Sequence, residues 1–226
     1  MLHLLAQAAL DDAQFHTRNL SHARRSAAWV STFANRLAAG DGSTESQERA
    51  LRMFCRTESG NRTEFRTNEL LFDILVAEQR TVNAARGRPL TALSRAVWIV
   101  ESELKRSDSR DVLIDLNKLV LAKADNKVLV VSSGTPLVAW AQGVMREMLD
   151  PTESNIFLVT IPHPADWFKN DRLRADVFQL TGNGWLTASS SGQPTAAAHV
   201  RHECLLLDTA SGGSWPIADL KRVSAT

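Results

Sequence analysis

Arg95-Ala-Val-Trp-Ile-Val-Glu-Ser-Glu-Leu104 reads as the best strand in the chain, and it ends abruptly in acids. Val97, Trp98, Ile99 and Val100 follow one another without a polar break. β-branched and aromatic residues in such a run favour a strand, and apolarity on both faces favours a central, buried one. A buried strand needs paired neighbours and a layer over each face, so the surrounding sequence must supply both.

It does so in alternation. Upstream, Glu64–Glu78 (EFRTNELLFDILVAE) alternates as a strand, with Leu71, Asp73 and Leu75 on one face and Phe72, Ile74 and Val76 on the other. Arg86-Gly87-Arg88-Pro89 is the loop between the two strands. Downstream, after KRSDSRD, the stretch DVLIDLNKLVLAKA places Val112, Leu116, Leu119 and Val120 on one helical side. NKVLVVSSG reads as a strand, PLVAWAQGVMREML as a helix opened by Pro136, and SNIFLVTIPHP as a further strand. Strand–helix–strand units imply parallel neighbours and an α/β architecture.

The flanks are different in kind. HARRSAAWVSTFANRLAA puts Ala27, Val30, Phe33, Ala34 and Leu37 on one helical stripe, and Gly40-Asp41-Gly42 stops it. Ser43-Thr44-Glu45-Ser46 offers capping chemistry for a second helix, ESQERALRMFCR. From Asp166 onward the pattern is short strands and turns, with Asn183-Gly184 as a hairpin signal. Three regions result: an N-terminal helical extension (1–42), an α/β core (43–165) and a β-rich C-terminal tail (166–226).

Bulk composition sets limits. The chain has 226 residues, 44% of them hydrophobic, and a net charge of +1, so it can bury a core but advertises no overall affinity for polyanions. Its two cysteines, Cys55 and Cys204, lie outside any CxxC spacing, which argues against a disulfide framework or a zinc site. The N-terminal apolar run is short and soon meets Asp11 and Asp12, unlike a secretory signal, and no window reaches the length of a membrane helix. A cytoplasmic chain without membrane association is the expectation. No GxSxG elbow is present, and Ser132-Ser133-Gly134-Thr135 lacks the spacing of a nucleotide-binding P-loop. His163, His199 and His202 form no recognised ligand pattern. Trp140 is expected in the core, with Trp167 and Trp185 as exposed contacts.

The chemistry lies in the acids. Glu101 and Glu103 are two apart on the buried strand and so project from one face, and Asp73 interrupts another apolar strand. Buried carboxylates carry a desolvation penalty of several kcal/mol unless paired or metal-bound. Acids that converge repel one another and favour a divalent cation, and hard oxygen ligands suit Mg²⁺ or Mn²⁺. Such an ion can activate water at a phosphodiester.

Residues 43–162 resemble the PD-(D/E)xK nuclease superfamily, the restriction-endonuclease-like fold. That family has a helix, a β-meander, then helix, strand, helix and strand, with an Asp on the second core strand and (D/E)-x-K on the third. Asp73 matches the first acid, and Glu101-Ser102-Glu103 matches the second motif in an E-x-E form. Phe72 stands where the family's proline is often found. The resemblance implies a three-layer sandwich around a mixed sheet, with Asp73, Glu101 and Glu103 as metal ligands. Three groups are candidates for the missing lysine: Lys105, in a shifted Glu103-Leu104-Lys105 triplet; Lys118, on the following helix; and Glu103 itself. Glu69 is favoured over Glu48 and Glu64 as an additional metal ligand. The implied activity is Mg²⁺- or Mn²⁺-dependent hydrolysis of nucleic acid, DNA rather than RNA, by a restriction- or defence-type endonuclease. The resemblance allows a homodimer, since cutting two strands needs two sites. The rival expectation is an inactive member of the same fold, acting as a structural or interaction protein.

Overall fold

The computed structural model describes residues 1–40, 51–169 and 173–188. Its centre is a seven-stranded mixed sheet in the order β1-β2-β3-β4-β5-β6-β7. Strands β1 (Leu51–Cys55), β2 (Ile74–Asn83) and β3 (Pro89–Glu103) form an antiparallel meander. Strands β4 (Ala124–Ser132) and β5 (Asn155–Ile161) then run parallel to β3. The hairpin β6 (Asp176–Thr181) and β7 (Gly184–Thr187) closes the far edge antiparallel.

Two helices cover each face. On one side lie α1 (Leu2–His16) and α2 (His22–Ala39); Leu10, Trp29, Phe33 and Leu37 pack there with Ile74, Val76, Val100 and Val130. On the other lie α3 (Ser109–Leu121) and α4 (Pro136–Met148); Val112, Leu116, Leu119 and Met145 pack there with Leu75, Ile99, Leu129 and Leu158. Within the run Val97–Val100, Trp98 and Val100 feed one core and Ile99 the other, while Val97 falls at the register shift between Val76 and Ala77. The N-terminal helices supply one of the two layers over the sheet.

Helix boundaries follow local chemistry. The Ser21 side chain accepts a hydrogen bond from Arg24 N–H at the start of α2, and Gly40, at φ +66°, ends it. Asp108 caps α3 by accepting from Asp111 N–H at 3.2 Å. Pro136 occupies the first turn of α4, where no backbone donor is lost.

Several sequence expectations need correction. The helix expected across ESQERALRMFCR is replaced at Leu51–Cys55 by β1, while 45–50 lie outside the described residues. Pairing overrides helical propensity here. Met53 lies opposite Val76 and Phe54 opposite Leu75, and Phe54 and Cys55 bury themselves in different cores. The strand expected from Glu64 begins at Ile74, because Arg62–Phe65 make one helical turn and an irregular loop follows. Trp167 is fully buried, its indole N–H donating to the Pro162 carbonyl at 2.7 Å, and so is no exposed contact. His199, His202, Cys204 and the expected strand HVRHECLLLD lie outside the described residues.

Candidate functional site

The antiparallel register brings the acids to one end of the sheet. Ile74 lies opposite Val100, so Asp73, just before β2, arrives beside Glu101 near the end of β3. The loop into Asp73 is tight: Phe72 N–H donates to the Leu70 carbonyl at 2.5 Å, with Leu71 between them at φ +57°. That is a γ-turn of the strained, positive-φ kind, and it fixes the approach to Asp73.

Asp73 is held by the middle residue of the acidic triplet. Its Oδ2 accepts from Ser102 N–H at 2.9 Å and from Ser102 Oγ–H at 2.5 Å. Two donors on one oxygen fix the carboxylate plane. Asp73, Ser102 and Glu69 line a cleft of about 280 Å³ between α2 and the β1–β2 connection, with Ala23, Ser26 and Arg56 on its walls. Burial raises the Glu69 carboxyl above its ordinary value, Asp73 adds to the shift, and Arg56 and Lys118 oppose it.

Glu101 occupies the opposite parity on β3, facing α3. It is 0% exposed. Its Oε2 accepts from Lys118 Nζ at 3.1 Å, and Lys118 also bonds Asp115 Oδ1 at 2.8 Å. The other oxygen, Oε1, is buried without any hydrogen-bond partner. Burial, assisted by the Asp73 charge and opposed by Lys118, pushes the Glu101 carboxyl up to about 8. For Lys118, burial acts downward but is outweighed by the bonds to Asp115 and Glu101, and the ammonium is held above its usual range. Asp115 therefore keeps Lys118 charged whichever state Glu101 is in.

The structure thus sets Asp73, Glu69 and Ser102 at the cleft beside α2, and Glu101, Lys118 and Asp115 together on the α3 side of the same sheet end. It places Glu103 and Lys105 in a separate outer group. Lys105 N–H donates to Glu103 Oε1 at 2.8 Å, and Lys105 Nζ lies 3.7 Å from Glu103 Oε2 and bonds Asp111. Burial raises the Glu103 carboxyl, while Lys105 draws it back. Among the described residues no three His, Cys, Asp or Glu side chains stand together as an ion-binding group. Sequence reasoning missed Ser102 and Asp115; the available signals were the place of Ser102 at the centre of the E-x-E triplet and that of Asp115 one turn before Lys118 on α3. The Ser132 and Thr135 hydroxyls bond the Leu104 and Ser132 carbonyls at 2.5 and 3.0 Å, which is a structural use of that turn.

Chemically, the site is a fixed carboxylate beside a cleft, a buried carboxyl that titrates near neutrality, and a permanent cation in contact with it. Carboxylate oxygens are the hard donors that Mg²⁺ takes, commonly one or two of them plus water, and Glu101 Oε1 is a buried acceptor with its bonding capacity unmet. No helix of the described residues is long and apolar enough to cross a membrane. The chain matches no family model, no curated protein and no solved structure.

Proposed function

We propose that this chain is a metal-dependent phosphodiesterase acting on DNA, with a restriction-endonuclease-like arrangement of helix, β-meander, helix, strand, helix and strand. The observation that carries the reading is Glu101: a wholly buried carboxyl at the end of a central strand, with one oxygen on Lys118 and the other unpartnered. A fold built for stability alone would satisfy that oxygen or replace the acid. Element order and the opposition of Asp73 to the end of β3 support the same reading.

Asp73 and Glu101 would hold Mg²⁺ or Mn²⁺, with Glu69 the nearest further acid. When bound, the ion supplies an acidic water and neutralises charge on the phosphate oxygens. Ser102 fixes the Asp73 carboxylate. Lys118 presents its ammonium beside Glu101, where it can orient a water and stabilise negative charge on oxygen. Glu103 and Lys105 neutralise each other at the rim, which favours Lys118 as the motif's cation. Cleavage of both strands of a duplex would draw on two copies of the chain.

The test is Mg²⁺-dependent hydrolysis of bis(p-nitrophenyl) phosphate, with Mn²⁺ binding followed by electron paramagnetic resonance. Hydrolysis lost in both Asp73→Ala and Glu101→Gln supports the reading; hydrolysis unchanged in both sinks it. A second reading, an inactive member of the same fold, is favoured by the lack of three converging ligands among the described residues. It predicts no Mn²⁺ bound at millimolar metal.

A further inference from the structure

The 3-10 turn Pro164–Asp166, just beyond β5, sits among cations that the acidic centre does not use. Arg25 on α2 donates to the carbonyls of Thr17, Pro164 and Arg18 at 3.4, 2.9 and 3.1 Å, and its guanidinium lies 4.6 Å over the Phe168 ring. Arg106 and Lys169 both pair with Asp166. Arg18 is exposed beside Arg25. The His22 and His163 rings lie 6.1 Å apart in the same group. Two permanent cations thus pair with one carboxylate and, among the described residues, Arg25 and Arg18 stand next to them, whereas the whole chain carries only +1. The concentration is local and does not follow from bulk charge.

Position gives the patch its meaning. Arg106 follows Ser102 by four residues, so it lies within about 14 Å of the residue that holds Asp73. The first turns of α2 face both ways: Ala23 and Ser26 line the cleft, while Arg25 holds the turn. Cleft and patch are therefore neighbours along one edge. Arg25 is pinned by three carbonyls and a ring, so little side-chain freedom is lost when it meets an anion. A duplex carries one negative charge for about every 1.7 Å of its axis, so a strand reaching from the cleft toward Arg106 presents several phosphates over that span.

We propose that the surface formed by Arg18, Arg25, Arg106 and Lys169 around the turn Pro164–Asp166 binds the phosphate backbone of duplex DNA and delivers a phosphodiester to Asp73. The identity of the polyanion rests on the phosphodiesterase reading of the acidic centre; the patch itself does not. Contacts of this kind position the strand without reading its sequence.

The experiment measures binding of a short duplex to the full chain by fluorescence anisotropy across a salt series in Ca²⁺. Neutralising two phosphate contacts in the Arg106→Gln/Lys169→Gln variant should flatten the slope of log K against log salt by about 1.8 and weaken binding roughly 60-fold at 0.1 M salt. The Arg86→Gln/Arg88→Gln variant removes two equally exposed cations from the β2–β3 hairpin tip and should leave the slope unchanged. An unchanged slope in the first variant, or an equal loss in the second, overturns the proposal. Circular dichroism and melting of each variant identify any loss of fold, and Arg18→Gln, outside any side-chain pair among the described residues, should independently flatten the slope by about 0.9. Bis(p-nitrophenyl) phosphate separates the two claims, since it reaches the acidic centre without spanning the patch. Hydrolysis of it by a chain whose DNA binding ignores these residues would refute the patch alone. Patch-dependent binding by a chain that hydrolyses nothing would refute the catalytic reading alone.

Discussion

Replacing Glu101 by Gln should make the metal-free protein more stable and remove part of its pH dependence. The folded chain holds the Glu101 proton to about pH 8, against 4.5 for an unperturbed carboxyl. Between those values the unfolded chain binds fewer protons than the folded one, so stability falls as pH rises through that window and is level outside it. At pH 7 the difference is about 2.5 units of pH, or roughly 3 kcal/mol at about 1.36 kcal/mol per unit. Gln has the same shape, keeps an oxygen for Lys118 and does not ionise, so it escapes this loss. For a chain of this size the gain corresponds to a rise in Tm of about 6–12 °C. The assay is thermal or urea unfolding of both proteins, in chelator, from pH 4 to pH 9. The two stability curves should meet near pH 4 and separate as pH rises, becoming parallel above pH 8. Curves that stay parallel throughout, or a variant that is less stable at pH 7, would refute the claim that burial of Glu101 outweighs its bond to Lys118.

Other consequences follow from single contacts. Ser102→Ala removes the hydroxyl bond to Asp73 and should lower Mg²⁺-dependent hydrolysis about 10–100-fold with little change in melting, while Ser102→Thr should restore much of it. Leu71 is 85% exposed at φ +57°, so Leu71→Gly relieves strain while removing little buried surface; chemical denaturation should show a gain of up to about 1 kcal/mol. Phe33→Ala opens a cavity between α2 and the sheet and should cost about 3–5 kcal/mol in urea unfolding, whereas Ile114→Ala, at a half-exposed position on α3, should cost far less.

The fold was legible where one physical rule dominated. Val97–Val100 declared a buried central strand because both of its faces are apolar, and the stripes of α3 and α4 declared helices because each faces one core. Leu51–Cys55 was not legible as β1, because its strand character comes from pairing with β2, a long-range contact that local propensity does not contain. The site divided in the same way. Glu101 stood out because an acid at the end of such a strand needs a partner, and Lys118 on the next helix supplies one. Asp73 was found through its apolar neighbours, yet its actual anchor, Ser102, lies on the face of β3 opposite Glu101. Glu103 shares the parity of Glu101 but not its partners, since the chain leaves the sheet there and Lys105 folds back to it. Alternation places residues on a face, but it does not say where the strand ends.

The most direct test of the acidic centre is cleavage of duplex DNA in millimolar Mg²⁺ by the unaltered chain, by Asp73→Ala and by Glu101→Gln, each shown to be folded. Cleavage by the unaltered chain should disappear in chelator and fall at least about 100-fold in each variant. Cleavage that survives both substitutions, or an unaltered chain that binds Mn²⁺ nowhere and cuts nothing, would contradict the catalytic reading.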